Sequence, residues 1–422
     1  MLQVEFIKEN FSKVVNSLKK RNKDYSTDLK KIIDYNDNRK KQQKKLDTLL
    51  SEVNNLSKQI GELFKNGKVE EANELKKNVE RIKPEVKLLQ DLLNSNNIDL
   101  RELLCSIPNI PNESVKKGTS ENDNEIIYES NLKLGDEKLM EHWDICEKFN
   151  IVDFELGNKI TGSGFPVYKS KGATLQRALI NYFLDKNTSS GYTEVQPPIL
   201  VNEDSAFATG QLPDKEGQMY QLNNENLYLI PTAEVPITNF YRNSIVDSSD
   251  LPIKLTGYTP CFRREAGSYG RDVRGLNRLH QFDKVEIVRI EKPENSYEVL
   301  EEMVQHIKTI LEELELPFRI LRLCGGDLGF TSALTYDFEV YSKAQKKWLE
   351  VSSVSNFETY QSNRLKLRIR YNEKEKKLAH TLNGSALALP RIVATILENN
   401  QSPDGIKIPK ILHAYTGFKF IS

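Results

Sequence analysis

The amino-acid sequence predicts an α+β protein, in which an N-terminal antiparallel helical hairpin precedes an antiparallel β-sheet domain flanked by helices. Apolar residues in the first hundred positions recur at heptad spacing, which is typical of paired helices. From about residue 126 onward, β-branched runs, aromatic residues and glycine turns become frequent. The candidate helices of this second part do not alternate strictly with the candidate strands, which argues against a parallel doubly wound sheet.

The hairpin prediction rests on two apolar seams whose steps alternate between three and four residues. The first seam consists of Leu46, Leu49, Val53, Leu56, Ile60 and Leu63. The second consists of Leu75, Val79, Ile82, Val86, Leu89 and Leu93. Asn66 and Gly67 supply a turn between them, so two helices, each on the order of 50–60 Å long, fold back on each other. Pro84 lacks a backbone N–H and is expected to kink the second helix.

The hairpin has two interpretations. It is either a coiled-coil dimerisation element or a projecting arm whose basic faces hold a long polyanion. Residues 1–100 carry 21 Lys and Arg against 16 Asp and Glu, although the whole chain has no net charge. The basic clusters consist of Lys19, Lys20, Arg21, Lys23, Arg39, Lys40, Lys41, Lys44 and Lys45. A charge run is often only a solvated surface, so composition leaves both interpretations open.

The chain is expected to have an N-terminal helical domain at 1–105, a linker at 106–125 and a larger domain at 126–422. The linker reads SIPNIPNESVKKGTSENDNE and shows no apolar periodicity. Predicted strands of the larger domain are FPVYK, YTEVQPPILV, LYLIP, IKLTGYTPCFR, HQFDKVEIVRI, TYDFEVYS, KWLEVSS and KLRIRY. Predicted helices are GATLQRALINYFLDKN, YEVLEEMVQHIKTILEEL and PRIVATILENN.

Cysteine usage and hydropathy exclude several classes of protein. Cys105, Cys146, Cys261 and Cys324 form no CxxC pair, and the five histidines show no ligand spacing near them. A disulfide framework or a zinc site is therefore not expected. The N-terminus has no apolar signal region, and no run approaches eighteen apolar residues. The sequence thus predicts a soluble cytosolic protein.

The stretch CFRREAGSYGRDVRGLNRLHQFDKVE, residues 261–286, places many charges between two short apolar segments. Strand alternation puts Phe282, Lys284 and Glu286 on one face, with Arg278 at the same parity just upstream. Arg263 ends the first strand, and a guanidinium binds two phosphate oxygens at once. A salt-bridged hairpin tip explains the same composition, so an anion site and an exposed hairpin remain equal alternatives here.

Three further segments carry candidate polar sites, each with a structural alternative. Thr232 in PTAE either caps a helix or lines a polar pocket with Glu234. In KKWLEVSSVSNF, Glu350 and Ser352 share one face of an ideal strand, so Glu350 and Ser353 can bind one Mg²⁺ only if the strand bulges. Arg391 follows Pro390 at a predicted helix start, where its charge opposes the helix dipole and suggests an anion partner.

No nucleophile–base pair is recognisable in these segments, and no GxSxG motif occurs. The residues therefore favour chemistry by positioning and charge stabilisation, as in phosphoryl or nucleotidyl transfer.

These blocks together resemble the bacterial-type seryl-tRNA synthetases, a family of class II aminoacyl-tRNA synthetases, over essentially the whole chain. GYTEVQPPIL (191–200), the 261–286 stretch and NGSALALPRIVATILEN resemble the three class II motifs. TGQLP (209–213), PTAE (231–234), CGGDLGFTSALTYDFEVY (324–341) and EVSSVSNF (350–357) resemble blocks of the seryl branch. The resemblance implies a class II catalytic domain at 126–422 and a tRNA-binding arm at 1–105.

The resemblance also implies a role for each matching position. The catalytic residues would be Arg263, Arg278 and Arg391. The serine-binding residues would be Thr232, Ala233, Glu234, Arg263, Glu286, Asn383 and Ser385, with Glu286 on the ammonium group. The ATP-binding residues would be Arg263, Arg264, Glu265, Arg278, Phe282, Glu350, Val351, Ser352, Ser353 and Arg391. Phe282 would stack on adenine, and Glu350 and Ser353 would bind Mg²⁺.

The implied function is a serine–tRNA ligase, which activates L-serine with ATP to seryl-adenylate and transfers the seryl group to tRNA(Ser). A cytoplasmic homodimer without zinc is expected, and charging of tRNA(Sec) stays open. The alternatives are a paralogue that acts as a binding or regulatory protein and a ligase for a non-tRNA carrier. Local departures from the family pattern are Arg264, Ala386 and Pro390, the first where serine is more common and the others where glycines are.

Overall fold

The structure is a computed structural model that describes residues 1–132, 138–214, 216–265 and 274–422. Contacts between Cα atoms divide the chain into two compact units. One unit consists of Leu2–Lys19 and Lys23–Pro108, and the other consists of Met1, Lys20–Asn22 and Asn109–Ser422. No helix in these described ranges combines the length and apolar character that crossing a bilayer requires.

The first unit is helical. Its helices are α1 (Val4–Glu9), α2 (Phe11–Leu18), α3 (Ser26–Lys65) and α4 (Val69–Ser106). Helices α3 and α4 form the predicted hairpin, and all twelve predicted seam positions are buried or half-buried. Leu46, Leu89 and Leu93 form one apolar cluster, and Gly67 takes the positive φ of +73° that the turn requires. Helix α4 continues through Pro84.

The second unit is built on an eight-stranded sheet with the order β1-β11-β12-β13-β16-β10-β9-β4. Its strands are β1 (Glu125–Glu129), β4 (Thr193–Glu194), β9 (Ile253–Phe262), β10 (Gln281–Glu291), β11 (Phe318–Arg322), β12 (Leu334–Ser342), β13 (Lys347–Asn356) and β16 (His380–Ala388). Neighbouring strands are antiparallel except β4, which pairs with β9 in parallel. The predicted α+β class with an antiparallel sheet is therefore confirmed.

Smaller sheets and the remaining helices surround this sheet. The small-sheet strands are β2 (Val152–Asp153), β3 (Val167–Tyr168), β5 (Leu200–Asn202), β6 (Tyr220–Gln221), β7 (Leu227–Leu229), β8 (Ile245–Asp247), β14 (Arg368–Arg370), β15 (Lys376–Leu378), β17 (Gln401–Ser402), β18 (Gly405–Lys407) and β19 (Phe420–Ile421). The helices are α5 (His142–Lys148), α6 (Phe154–Ile160), α7 (Ser170–Ser189), α8 (Glu203–Thr209), α9 (Glu234–Asn239), α10 (Ser296–Glu313), α11 (Thr359–Leu365), α12 (Leu389–Asn399) and α13 (His413–Thr416).

The two faces of the eight-stranded sheet differ in polarity. Ile287, Phe338 and Val354 point from one face into a large apolar core that also contains buried residues of α7, α10 and α12. Because successive strand residues alternate between faces, the opposite face carries polar residues such as Glu286 and Asn383. The helices of the core thus cover one face, and the opposite face presents buried polar side chains next to the apolar cluster of Val288, Leu255 and Ile237.

Candidate active site

A buried ion pair lies on the polar face of β10. The Nζ of Lys284 lies 2.6 Å from Oε2 of Glu286, and both side chains are almost wholly buried. The hydroxyl of Thr232 donates a hydrogen bond to the same Glu286 oxygen at 2.8 Å. Across the strand pair, Glu286 faces Ser385 of β16. The predicted shared face of Lys284 and Glu286 is therefore confirmed, and Thr232 joins it from a distant part of the chain.

A second buried carboxylate, Glu234, begins helix α9 next to this pair. Its Oε1 accepts a hydrogen bond from Nε2 of Gln361 at 2.6 Å, and Gln361 accepts one from Thr381 at 2.7 Å. Burial, and then the charge of Glu286, raise the pKa of Glu234 to about 7. The backbone N–H of Glu234 donates to the Thr232 hydroxyl at 3.2 Å. The predicted cap is not formed by Thr232, because Ala233 is the N-cap of α9; the Thr232 hydroxyl instead connects Glu286 to the first residue of the helix.

Asn383 completes the wall of this pocket. Its backbone pairs with Ser355 of β13 and with Val288 of β10. Its Nδ2 is buried and makes no hydrogen bond within the described structure, although the side chain is near enough to Glu234 to lower that carboxyl's pKa. An unsatisfied buried donor beside two carboxylates suits a small ligand that has both a cationic group and a hydrogen-bond acceptor.

Arg263 and Phe282 lie together where β9 ends and β10 begins. The Arg263 backbone N–H donates to the carbonyl of His280 at 2.9 Å, and its Nε donates to the carbonyl of Pro231 at 3.4 Å. Its guanidinium carbon lies 5.3 Å from the centroid of the Phe282 ring. A flat aromatic surface and a planar cation therefore adjoin the Glu286 pocket.

Glu265 and Arg278 pair across the two ends of the intervening loop. The Nε of Arg278 donates to Oε2 of Glu265, whose backbone takes a positive φ of +48°. The Glu265 N–H donates to the side-chain oxygen of Gln218 at 3.1 Å. Arg278 precedes β10 by three residues, so strand parity does not set its direction. Gly267 and Gly270, which belong to this loop, lie outside the described residues.

Arg391 links helix α12 to two other parts of the site. Its Nε donates to the carbonyl of Asn277 at 3.0 Å, and its Nη1 donates to the carbonyl of Glu350 at 2.6 Å. Pro390 occupies the first turn of the helix, as predicted. Ala386 is fully buried, and the adjacent Leu387 takes a φ of +81° where the register between β10 and β16 shifts.

Strand β13 contains the bulge that the Glu350–Ser353 pair required. Ser353 lies opposite Asp337, Ser352 opposite Phe338, and Glu350 opposite Glu339, so the register shifts at Val351. Glu350 and Ser353 consequently lie on one face, while the Val351 side chain enters the apolar core. The Ser352 hydroxyl donates to the carbonyl of Ser385 at 2.6 Å.

Two family models match the chain. Residues 1–111 match the seryl-tRNA synthetase N-terminal domain, and residues 218–400 match the tRNA synthetase class II core domain of the G, H, P, S and T group. A serine–tRNA ligase of Salinibacter ruber is 49% identical over 390 residues, which are 92% of this chain and 91% of the relative. The chain belongs to the seryl-tRNA synthetase family.

Solved seryl-tRNA synthetases share the fold. The enzyme of Pyrococcus horikoshii, solved with ATP, has a TM-score of 0.89 and 33% identity, and the alignment covers 99% of each chain. The cytoplasmic serine–tRNA ligase of Naegleria fowleri, solved with AMP, has a TM-score of 0.86 and 26% identity over 100% of this chain and 99% of the other. The family resemblance predicted from the sequence motifs is confirmed.

A magnesium site is compatible with the oxygen donors of this seryl-tRNA synthetase. Burial, and next the charge of Glu350, raise the pKa of Asp337 well above its usual range, and Oδ1 of Asp337 is buried without a hydrogen-bond partner among described residues. Within the same residues, no group of three or more His, Cys, Asp and Glu side chains is placed to hold a metal. Glu350 and Ser353 therefore fit a cation that takes further ligands from a substrate or water.

The Arg264 side chain lines a different cavity from Arg278 and Glu265, two other predicted ATP-binding residues. Its side chain is exposed and lines a cavity of about 380 Å³ with Tyr220 and Tyr228. Arg278 and Glu265 line a different cavity of about 1010 Å³. No described residue forms an ion pair with Arg264. Its assignment to ATP thus rests on its position in the motif alone.

The sequence motifs assign no role to Lys284, Gln361 and Asp337 in the site, or to the pair of His142 and Glu398 outside it. Lys284 was placed on the correct face but given no role, although its alternation with Glu286 was a usable signal. Gln361 and Asp337 were not predicted, because their neighbours in the site lie more than ten positions away in sequence. Gln361 donates a hydrogen bond to Glu234, and Asp337 lies opposite Ser353. His142 and Glu398, which are described below, were also missed because 256 residues separate them.

Proposed function

We propose that this protein is a serine–tRNA ligase, which activates L-serine with ATP and transfers the seryl group to tRNA(Ser). The observation that carries the proposal is the buried cluster of Thr232, Glu234 and Glu286 beside Arg263 and Phe282. A pocket with two carboxylates suits an ammonium group, and the adjacent aromatic ring and guanidinium suit a nucleotide. Membership of the seryl-tRNA synthetase family supports the same conclusion.

Serine is held through its ammonium group by Glu286 and Glu234. Its hydroxyl bonds to Asn383 and Ser385, and Ala233 closes the pocket beside Thr232. A site built to bond a substrate hydroxyl discriminates against alanine, because the pocket's polar groups would be left unpaired. Threonine carries an extra methyl group. A pocket fitted to serine discriminates against this group by about 1–3 kcal/mol, which is weaker than its discrimination against alanine.

The adenine of ATP stacks on Phe282, and the amino group of the adenine contacts Glu265. Arg263 neutralises the α-phosphate, and Arg278 and Arg391 bind the β- and γ-phosphates. The backbone of Val351 and Ser352 shapes the ATP site next to Glu350. Arg264 is assigned to the ATP site because of its position in the motif. Glu350 and Ser353 would hold Mg²⁺, which would neutralise phosphate charge.

The first step forms an anhydride. A serine carboxylate oxygen attacks the α-phosphorus, and the bond from this phosphorus to the bridging oxygen of the β-phosphate breaks. Seryl-adenylate and pyrophosphate are the products. Arg263 stabilises the charge that develops on the α-phosphate, and Arg278 and Arg391 stabilise the leaving pyrophosphate. In the second step a terminal ribose hydroxyl of tRNA attacks the seryl carbonyl, and AMP leaves.

The helical arm binds the tRNA in this proposal. Lys41 and Lys44 on α3 are exposed and form no salt bridge with a described residue, whereas Lys40 and Lys45 lie 2.6 Å from Glu5 and Glu85. Free ammonium groups on a long helix suit a phosphate backbone, and such binding weakens with salt. Charging of tRNA(Sec) through the same arm stays open.

A cytoplasmic homodimer completes the proposal. Ile199 and Leu200, which end the segment that resembles the first class II motif, are each 36% exposed. Exposed apolar residues at adjacent positions suit a protein–protein interface. Sedimentation should give a species of twice the mass of the chain.

The deciding experiment is serine-dependent exchange of pyrophosphate into ATP, followed by charging of total tRNA. Exchange should require serine and should not occur with alanine at the same concentration. Absence of exchange would contradict the proposal at the activation step. Exchange without charging would instead indicate a carrier other than tRNA.

A further inference from the structure

His142 and Glu398 form a fully buried pair outside the predicted site. The Nδ1 of His142 lies 2.6 Å from Oε1 of Glu398, and both side chains have no exposed surface. His142 begins helix α5, and Glu398 is near the end of helix α12, which carries Arg391 in its first turn. Ser342 and Gln345 also donate hydrogen bonds to the Glu398 carboxylate.

The other ring nitrogen of His142 binds the backbone just before Arg278. The N–H of Leu276 donates to Nε2 of His142 at 2.8 Å. Nε2 must therefore carry a lone pair, so the ring proton of the neutral imidazole is on Nδ1 and is donated to Glu398. Burial alone would raise the pKa of Glu398, but its hydrogen bonds from His142 and Ser342 lower it below the usual value. An ionised carboxylate is the partner that fixes this tautomer.

The backbone at 275–277 approaches the ring as closely as glycine allows. Gly275 has a φ of +67°, and a Cβ added to it would lie 2.2 Å from Nε2 of His142. Asn277 is buried, and its side chain donates to Gln345 at 2.9 Å. Its carbonyl accepts the hydrogen bond from Nε of Arg391 at 3.0 Å. Gln345 thus connects Asn277 back to Glu398.

We infer that His142, in the tautomer fixed by Glu398, is a positioning residue for Arg278 and Arg391. It holds the segment from Gly275 to Asn277, which orients Arg391 through a carbonyl and leads directly into Arg278. The inference rests on the proposed function, in which these two arginines bind the triphosphate. Both side chains of the pair have no exposed surface, so the pair acts through the arginines.

Two amide variants separate this role from simple packing. In His142→Gln the side-chain oxygen reaches the place of Nε2 and can accept the Leu276 N–H. In His142→Asn the amide ends near the place of Nδ1 and keeps only the bond to Glu398. Each variant keeps the backbone bond to Glu398 and one of the two side-chain bonds, and each loses the ring, so both should lose similar thermal stability.

The variants should differ in their affinity for ATP. In pyrophosphate exchange, His142→Asn should raise KM for ATP about tenfold relative to His142→Gln. This ratio follows from losing one hydrogen bond to a positioned backbone amide. KM for serine should agree within about twofold in both variants, because the described residues of the serine pocket share no hydrogen bond with the pair. Calorimetric titration of ATP without serine should give the same order.

Equal ATP affinities in the two variants would overturn the inference, as would an equal loss of serine affinity in His142→Asn. These outcomes require a wild-type enzyme that exchanges pyrophosphate, and a wild type without exchange would contradict the proposed function instead. If neither variant folds, ¹⁵N spectra of histidine-labelled wild-type protein report the tautomer directly. A neutral His142 with its proton on Nε2, or a protonated ring, would overturn the inference.

Discussion

Lys284 and Glu286 lie two residues apart on one strand, and their charged groups meet at 2.6 Å beside the hydroxyl of Thr232. A lysine that neutralises the carboxylate competes with the ammonium group that the same carboxylate is proposed to bind. The ion pair thus holds both charged groups away from water. Serine binding must share or displace the lysine, so pocket affinity and pocket stability depend on the same oxygen.

Lys284→Met should lower the free energy of unfolding by about 3–5 kcal/mol, because it leaves a buried carboxylate without its cation. Urea unfolding measures the loss. The double variant Lys284→Met/Glu286→Gln should recover most of it, since the amide carries no charge. A single variant that loses less than about 1 kcal/mol would show that the pair is not desolvated in solution.

Glu286→Gln should lower kcat/KM for serine at least 100-fold, because the amide cannot offset the buried ammonium charge. The volume of the side chain is unchanged, and ATP binding should stay within about twofold of wild type. Glu291, which lies further along β10, provides a control through Glu291→Gln, which should leave serine kinetics unchanged. Normal serine kinetics in Glu286→Gln would remove the ammonium assignment.

The raised pKa of Glu234 predicts pH-dependent serine binding. The free carboxyl titrates near pH 7, so its share of the attraction for the serine ammonium is present above this pH and lost below it. KM for serine should therefore fall between about pH 6 and pH 8. Glu234→Gln should remove this part of the profile, and an unchanged profile in the variant would assign the titration to another group.

The same group affects stability in the opposite direction. Its folded-state pKa of about 7 exceeds the ordinary value of 4.5, so the native state holds the proton more tightly than the unfolded chain. Its contribution to stability is fully present below about pH 4.5 and is lost as the pH rises through about 7, by an amount on the order of 3 kcal/mol. Chemical unfolding of wild type and Glu234→Gln at both ends of this range isolates the contribution.

Arg264→Ser should change KM for ATP by less than about twofold, because the guanidinium is exposed and lines the cavity of Tyr220 and Tyr228. The matched variant Arg263→Ser should lower the exchange rate about 100-fold, as expected for loss of a charge-stabilising group. A tenfold increase in KM for ATP in Arg264→Ser would place this guanidinium on the nucleotide.

Lys41→Ala/Lys44→Ala should weaken tRNA binding and reduce the slope of log affinity against log salt by about one to two. Lys40→Ala is a matched control, because Lys40 already pairs with Glu5 and should alter the slope less. Pyrophosphate exchange should be unaffected in all of these variants. If the salt dependence of tRNA affinity is unchanged in the double variant, Lys41 and Lys44 do not contact the tRNA.

Local patterns allowed much of the fold to be predicted. The seam from Leu46 to Leu63 depends only on helix periodicity, and the shared face of Phe282, Lys284 and Glu286 depends only on strand alternation. Strand β11 was missed, because its sequence FRILR is short and is buried mainly through neighbours far along the chain.

The parts of the site that escaped prediction depend on tertiary pairing. Gln361 reaches Glu234 across 127 positions, and no local pattern marks that contact. The direction of Arg264 depends on where the β6–β7 strands pack, which its neighbours in sequence do not determine. The motif resemblance predicts which positions belong to the site. It does not predict the ion pair of Lys284 with Glu286 or the hydrogen bonds of His142, which depend on the folded structure.

The extra residue at Val351 changes how this kind of site should be sought in sequences. By alternation alone, two ligands three residues apart on a strand point to opposite sides, and a filter based on even spacing would discard Glu350 and Ser353. Because the bulge adds one residue, Val351, two residues separated by an odd interval point to the same face of the strand. An odd interval between two oxygen donors, with an apolar residue between them, is therefore compatible with a bulged strand that places both donors on one face.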